Sequence, residues 1–182
     1  MNKEEEIAVI ALGSNKGNRM HYISQSIQLL SENTAISILG SSNLYECPAV
    51  GFSSHDFINS ILVISTCLSP LELLQQTQSI EKQLGRTLKK KRSSKYEART
   101  IDLDLLFYGN KIVKNSRITI PHPEIEKRFF VLKPLEDLKK LLTSKGLKIM
   151  ETKKNTASSG TLMLLSTESQ LIQQQIKALS KK

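Results

Sequence analysis

Two carboxylates, Asp102 and Asp104, lie two residues apart inside an apolar run that extends from Ile101 to Tyr108. If the run is a β-strand, successive side chains point to opposite faces, so the two carboxylates share one face. Neighbouring anions on a half-buried face repel each other, and a hard divalent cation such as Mg²⁺ would relieve that repulsion. The simpler alternative is an exposed strand on which water solvates both carboxylates, and an isolated Asp-x-Asp pattern favours it.

The segment that leads into this run is strongly basic. From Arg86 to Arg99 it carries seven lysine and arginine residues against the single acid Glu97, in a chain whose net charge is +9. Such charge runs are usually solvated loops. Here the cations precede a carboxylate pair, which suits a Mg²⁺-polyphosphate, because the metal bridges carboxylates to phosphate oxygens while arginine and lysine neutralise the remaining charge.

Length and composition indicate one soluble domain with an appended tail, since the chain has 182 residues and a hydrophobic content of 39%. Cys47 and Cys67 have neither metal-ligand spacing nor a disulfide framework, so we expect a reduced, cytoplasmic setting. No apolar run approaches the length of a membrane span, and the acidic N-terminus is unlike a secretory signal. A pI near 9.6 indicates an anionic partner.

Hydrophobic periodicity predicts the order strand, helix, strand, strand, helix, strand as far as the acidic strand. The helices are expected over residues 19–31 and from the capping box at Ser69 to about Gly85. This is the βαββαβ order of ferredoxin-like folds, so the predicted class is α+β, a mostly antiparallel sheet with helices on one face, plus extra C-terminal elements. We further expect a strand over 112–120, a short helix over 124–132 and another helix that begins at Pro134.

The chain changes character near Thr143. Residues 151–161 are rich in Thr, Lys, Asn, Ser and Gly, which is typical of a linker, and a weakly amphipathic helix is predicted around Ile172 and Ile176. The predicted division is therefore a domain over 1–142 and a linker with a helical tail over 143–182. The tail either packs on the domain or connects it to a partner domain.

Several motifs occur in an order that resembles the 6-hydroxymethyl-7,8-dihydropterin pyrophosphokinase family. The resemblance covers residues 7–138 and is most specific at Arg-Thr-Ile-Asp-Leu-Asp, residues 99–104, with the downstream Pro121-His122. The other matching pieces are Ala-Leu-Gly-Ser-Asn at 11–15, Leu-Tyr-Glu-Cys-Pro at 44–48, Phe-Ile-Asn at 57–59, Gln-Ser-Ile-Glu at 78–81, Gly-Arg at 85–86 and Phe-Val-Leu with Pro-Leu at 130–135.

The resemblance implies a reaction and its participants. The pyrophosphoryl group of ATP would move to the hydroxymethyl oxygen of the pterin, with release of AMP and attack on the β-phosphorus. Two Mg²⁺ ions would be held by Asp102 and Asp104. The implied partners are ATP, the pterin and other folate-pathway enzymes, to which relatives are sometimes fused, rather than nucleic acid or a membrane.

The same resemblance assigns roles to individual residues. The catalytic set is Asp102, Asp104, Arg99 and Arg86. The pterin side is Cys47, Pro48, Val50, Phe57, Asn59 and Phe130, and the ATP side is Gln78, Arg86, Arg99, Leu105, Arg117, Thr119, His122 and Arg128. A flat heteroaromatic ring suits aromatic faces and polar atoms at its rim, which the phenylalanines and Asn59 would supply. The simpler interpretation of these phenylalanines is ordinary core.

The chain departs from the family within the basic segment, which we interpret as a lid over residues 86–98. Tyr96 stands where the family usually has tryptophan, and Leu88 stands where it often has arginine. Two alternatives remain. One is a basic ferredoxin-like RNA-binding protein, although two acids on a central strand would repel a phosphate backbone. The other is a protein that binds pterin or nucleotide without catalysis.

Overall fold

A computed structural model describes residues 4–49, 54–86, 98–147 and 162–180, so Val50 and the basic residues 87–97 lie outside the described ranges. Five α-helices and eight strands occur in the described residues. The strands are β1 Glu6–Ser14, β2 Ile36–Ser41, β3 Leu44–Cys47, β4 Phe57–Thr66, β5 Asp102–Tyr108, β6 Val113–Lys114, β7 Thr119–Ile120 and β8 Met163–Leu165. The helices are α1 Arg19–Ser31, α2 Pro70–Gln83, α3 Phe129–Asp137, α4 Lys139–Ser144 and α5 Ser166–Leu179.

The main sheet is antiparallel and has the order β5-β1-β4-β3-β8, with β2 also paired to β4. This arrangement confirms the predicted α+β class with a βαββαβ core. The extended segment that begins at Ile36 is divided into β2 and β3, which pair with different parts of the same edge of β4. The turn between them takes up Ser42, whose amide donates to the carbonyl of Ile61 at 2.8 Å.

Helices cover both faces of the sheet. The two helices of the βαββαβ core, α1 and α2, lie on one face as expected, and the later helices α3 and α4 cover the other. Alternate residues of β1 explain why: Ala8, Ile10 and Leu12 face one core, and Val9 faces the other. Helices α1, α2 and α5 close the first core, while α3 and α4 close the second. A central strand with apolar residues on both faces needs cover on both sides.

Two shorter predictions also differ from the structure. The strand expected over 112–120 is a hairpin of two short strands, β6 and β7, because Asn115 accepts hydrogen bonds from the amides of Arg117 and Ile118 and turns the chain. Pro134 does not begin a helix but lies inside α3. Its ring is buried with Val131 and Leu135, so packing outweighs the loss of one helical hydrogen bond.

The C-terminal segment packs against the first core. Strand β8 pairs with β3, and α5 buries Ile172 and Ile176 beside α1 and β2. Ser24 of α1 donates to the side-chain oxygen of Gln175 at 2.8 Å. Among the described helices, none has the length and apolarity needed to cross a membrane.

Candidate active site

A cleft of about 450 Å³ opens on the face of the sheet that carries α3. Its floor is formed by β1, β3, β4 and β5, and its opposite wall by α3 and the segment before it. Gly13 keeps the floor low, because a Cβ atom there would lie 3.3 Å from the side-chain oxygen of Asn59. The lining includes Gly13, Cys47, Pro48, Phe57, Asn59, Arg86, Arg99, Asp102, Asp104, His122, Arg128 and Phe130.

Asp102 and Asp104 lie side by side on this floor. Their cross-strand partners in β1 are Gly13 and Ala11, so both carboxylates project from the same face of the sheet, as the alternation predicts. Both residues are partly accessible. The small side chains opposite them leave space above the carboxylates for a ligand.

Arginines neutralise the two carboxylates from three directions. Arg86 Nη1 lies 2.7 Å from Asp102 Oδ1, and Arg99 binds the other oxygen of Asp102. Arg128 Nη1 donates to Asp104 Oδ2 at 3.2 Å. These arginines follow α2, precede β5 and precede α3, respectively. Their ion pairs with Asp102 and Asp104 therefore bring three separate segments together at the site.

Burial raises the pKa of Asp104, and the charge of Asp102 raises it further, whereas His122 and Arg128 lower it. Burial is thus the main reason that the pKa of Asp104 is raised, and a bound cation would lower it again. In the described residues, no group of three His, Cys, Asp or Glu side chains could hold a metal on its own. Two carboxylate oxygens fit Mg²⁺, which commonly takes one or two carboxylates and completes its shell with water and substrate phosphates.

Glu81 is a third acid in the network. It lies on α2, is only 7% exposed, and accepts from the amide of Leu103 at 2.7 Å. Its carboxylate also binds Arg86, which connects it to Asp102. Burial raises the pKa of Glu81 to about 7, and this effect outweighs the Leu103 and Arg86 contacts, which lower it.

The opposite end of the cleft is apolar with a polar rim. Cys47 and Phe57 are cross-strand partners on β3 and β4, and Phe130 contributes from α3. Asn59 is buried, and its amide nitrogen donates to Cys47 Sγ at 3.1 Å. Burial raises the pKa of the Cys47 thiol to about 11, so it stays protonated near neutral pH.

A second cavity of about 620 Å³ adjoins the cleft on the side of α2. Gln78, Glu81 and Thr100 line it. The two cavities share Arg86, Arg99 and Asp104, so they meet at the arginine and carboxylate network.

His122 is attached to the edge of β5. Its amide donates to the carbonyl of Leu106 at 3.0 Å. Leu106 is the extra residue of a bulge, since Val9 pairs with Phe107 and Ile10 pairs with Leu105. The ring Nδ1 of His122 accepts from the amide of Glu124 at 3.2 Å, so in the neutral ring Nε2 carries the proton.

A family model for 7,8-dihydro-6-hydroxymethylpterin-pyrophosphokinase (HPPK) matches residues 9–140. The chain belongs to this family. It is therefore a pyrophosphokinase of folate synthesis, which transfers pyrophosphate from ATP to hydroxymethyldihydropterin, and the resemblance seen in its motifs is confirmed.

Relatives of this pyrophosphokinase include single-function and bifunctional proteins. The chain is 40% identical over 133 residues to the 2-amino-4-hydroxy-6-hydroxymethyldihydropteridine pyrophosphokinase of Bacillus subtilis, covering 72% of this chain and 77% of the relative. It is 39% identical over 130 residues to the bifunctional protein FolKE of Lactococcus lactis subsp. cremoris, covering 71% of this chain and 36% of that relative. The chain thus spans about a third of that bifunctional relative.

Solved structures of similar fold include Plasmodium falciparum HPPK-DHPS. One triple mutant of that protein superposes with a TM-score of 0.59 at 15% identity, covering 98% of this chain and 43% of the other. At that identity the match shows the fold alone. Its coverage extends beyond residues 9–140, and so includes C-terminal elements that the family model leaves out.

The structure brings most of the predicted site residues of this pyrophosphokinase to the two cavities, but not all of them. Gln78 lines the second cavity, and Arg128 and His122 line the first. The side chain of Leu105 is buried in the first core, away from the carboxylates. Arg117 and Thr119 lie on the β6–β7 hairpin and line neither cavity. Val50, Tyr96 and Leu88 lie outside the described residues.

Asn15 has a structural position that the sequence interpretation did not assign. It is fully buried, accepts from the amide of Arg99 at 2.7 Å, and donates through Nδ2 to Ser54 Oγ at 3.0 Å. It therefore links the approach to β5 with the approach to β4. The signal in the sequence was its place directly after the Gly13-Ser14 strand end, where a polar side chain follows a buried strand.

Proposed function

We propose that the cleft holds the pterin at its apolar end and that the second cavity, with the arginine side of the cleft, holds ATP. The observation that carries this proposal is the meeting of the two cavities at Asp104, Arg86 and Arg99. A pterin hydroxyl and an ATP phosphate placed from opposite sides would come together at that point. Phosphoryl transfer asks mainly for such positioning and for charge neutralisation.

The pterin would be bound by shape and by the rim of the cleft. Phe57 and Phe130 offer aromatic surface to a flat ring, and Asn59 offers an amide for hydrogen bonding. Cys47 and Pro48 complete the wall next to them. Because the Cys47 thiol stays protonated, it places no negative charge beside a neutral ring.

The polyphosphate would be bound by arginines and His122. Arg86, Arg99 and Arg128 already face the carboxylates, and each can turn its free guanidinium nitrogens to a phosphate oxygen. The Nε2–H of His122 is a further donor, since Nδ1 accepts from the amide of Glu124. Gln78 would contact the nucleotide from the second cavity, whereas Leu105, Arg117 and Thr119 would require its adenosine part to reach the β5 edge and the hairpin.

Asp102 and Asp104 would hold the Mg²⁺ that accompanies ATP. When bound, the metal supplies positive charge that orients the phosphates and stabilises negative charge as the pyrophosphoryl group moves. The position of the two carboxylates supports this assignment, because they project side by side from one face of the sheet into the cleft, where a cation would offset their mutual repulsion. The number of ions, two, rests on the family resemblance.

An AMP-release assay tests the proposal. Purified protein with Mg²⁺, ATP and 6-hydroxymethyl-7,8-dihydropterin should form AMP and the pyrophosphorylated pterin in equal amounts. Asp104→Ala should lower turnover by at least about a hundredfold, since it removes one of the two carboxylates of the metal site. The matched control is Glu126→Ala, which removes an exposed acid outside both cavities and should leave turnover unchanged.

Folding must be verified by circular dichroism for each variant. Folded wild-type protein that releases no AMP above background would refute the function. Near-normal turnover in Asp104→Ala, with an active wild type, would refute the metal assignment alone.

The cellular setting is also a proposal. Cys47 and Cys67 are free thiols, and a reducing compartment such as the cytoplasm keeps them so.

Bifunctional relatives, such as the folate synthesis protein of Pisum sativum, join a matching segment to further sequence. If this chain associates with other enzymes of folate synthesis, it would be as close to them as the matching segment is to the rest of a bifunctional relative.

A further inference from the structure

Helix α3 sets the width of the apolar end of the cleft. Phe130, near its first turn, lines the cleft, and Asp137 is its last residue. The two are seven residues apart, which is about two helical turns, so they share one face of the helix. Whatever fixes Asp137 on the sheet therefore helps to fix the height of Phe130 above the cleft floor.

Asp137 is held by three donors from the edge of β3. The hydroxyl of Tyr45 donates at 2.9 Å, the amide nitrogen of Asn43 at 3.1 Å and its side-chain Nδ2 at 3.0 Å. Lys133 Nζ lies 3.7 Å away, one turn earlier in α3. Tyr45 is only 5% exposed, and burial together with Asp137 raises its pKa, so the hydroxyl remains a donor.

The other partner of this contact lies on the strand that forms the cleft. Tyr45 and Cys47 are two residues apart in β3 and face the same side of the sheet. Tyr45 meets Asp137 at one end of α3, and Cys47 lies in the cleft with Phe130 at the other. Helix and strand are thus joined about two helical turns from Phe130 and are separated where the cleft opens.

We propose that Asp137 and Tyr45 are positioning residues that hold α3 at the distance from β3 required to stack a pterin on Phe130. This inference rests on the proposed pterin site. The contact touches neither substrate in that site. Arg86 and Arg99 lie on segments outside α3, whereas Arg128 directly precedes it. Loss of the contact should therefore affect pterin recognition strongly and ATP recognition much less, through Arg128 alone.

Steady-state kinetics with each substrate varied at saturating co-substrate test the inference. Asp137→Ala should raise the KM for the pterin by about ten-fold, because a small displacement of a stacking surface weakens binding strongly, while the KM for ATP changes by less than about two-fold. Tyr45→Phe removes only the hydroxyl and should give a smaller change in the same direction. Asp137→Asn keeps one oxygen acceptor and should restore part of the lost pterin affinity.

The matched control is Glu136→Ala, in the same turn of α3. The Glu136 side chain is 63% exposed, and its carboxylate lies 3.4 Å from Lys133 Nζ. It should leave both KM values unchanged. Melting temperatures of all variants separate destabilisation from misplacement.

The outcomes are distinguishable. A selective rise in the KM for the pterin in Asp137→Ala or Tyr45→Phe, absent in Glu136→Ala, supports the inference. Lowered melting temperature with unchanged KM values, or an equal rise in both KM values, would show a merely structural contact and overturn it. If Asp137→Ala does not fold, Tyr45→Phe decides. Failure of the wild type to use the pterin would instead overturn the proposed function.

Discussion

Glu81 illustrates how one acid can serve two neighbours in a poorly hydrated place. It accepts from the Leu103 amide at the open edge of β5 and also binds Arg86. The first contact ties α2 to the strand that carries Asp102 and Asp104. The second holds Arg86 where it reaches Asp102, so Glu81 acts on the catalytic network without lining its first cavity.

The stability of the metal-free protein should therefore depend on pH through Glu81. Its pKa is about 7 in the folded state against 4.5 for the free side chain, so the folded protein binds the proton more tightly. Stability from this group is present below about pH 4.5, falls as the pH rises to about 7, and is lost above it, by at most about 3 kcal/mol. Glu81→Gln should flatten that slope.

Urea unfolding across this pH range, in buffer with a chelator, measures the slope. Glu32→Gln is the control, since Glu32 is exposed at the end of α1. A wild-type slope that Glu81→Gln leaves intact would show that Glu81 is ionised throughout the range.

Sequence reasoning at the residue scale succeeded where a local rule applied. Alternation in a strand places Asp102 and Asp104 on one face without knowledge of the fold. An acidic residue on a helix is usually exposed, so local rules do not predict that Glu81 is buried with Leu73, Thr77 and Ile80 along α2. The helical periodicity places Glu81 on the buried side of α2, but burial of an acid can be predicted only when its hydrogen-bond partner in β5 is known.

Strand β8 and helix α5 close the outer edge of the sheet. Leu44 and Tyr45 of β3 pair with β8, and the amide of Leu44 donates to Ser169 Oγ at 2.9 Å. Gln173 reaches the side chain of Asn43, the residue that also binds Asp137. The edge of β3 is thus held from one face by α3 and from the other by α5.

Packing of α5 should contribute measurably to the stability of the whole fold. Ile172 is 3% exposed in the first core, whereas the adjacent Leu171 is 58% exposed. Ile172→Ala should lower the free energy of unfolding by about 3 kcal/mol, since it leaves a cavity, whereas Leu171→Ala should change it by less than about 0.5 kcal/mol. Chemical denaturation measures both, and equal small effects would mean that α5 is detached in solution.

Local sequence signals predicted helices and strands better than the segments with which those elements pair or pack. The capping box at Ser69 begins α2 as expected, with both of its hydrogen bonds formed. By contrast, a three-residue strand such as β8 has no sequence signature, because only its pairing with β3 makes it a strand. Helical structure was expected in the segment that forms α3, but not the face that it covers, since which face a helix covers depends on contacts between distant segments.

Charge acts at the scale of the whole molecule. The net charge of +9 and the arginines at the junction of the two cavities create a positive field around the proposed nucleotide site. ATP is a polyanion and the pterin is neutral, so the two substrates should respond differently to salt.

Raising the salt concentration from about 0.05 M to about 0.3 M should increase the KM for ATP several-fold and leave the KM for the pterin nearly unchanged, because screening shortens the reach of surface charges. Steady-state assays with potassium chloride, with free Mg²⁺ held constant, measure both. Parallel rises in the two KM values would point to a general effect on the protein and contradict the prediction.

The bulge in β5 lets one strand both continue its alternation of side chains and bind the segment that carries His122. On either side of Leu106 the alternation continues as if that residue were absent, with Leu105 and Tyr108 in the first core. The carbonyl of Leu106, the additional residue, thus accepts the hydrogen bond from the amide of His122. Deleting Leu106 would leave Asp102 and Asp104 on the same face of the sheet, but it would remove the carbonyl that binds the amide of His122. The length of β5 after Asp104 therefore controls the position of His122 without changing the position of the two carboxylates.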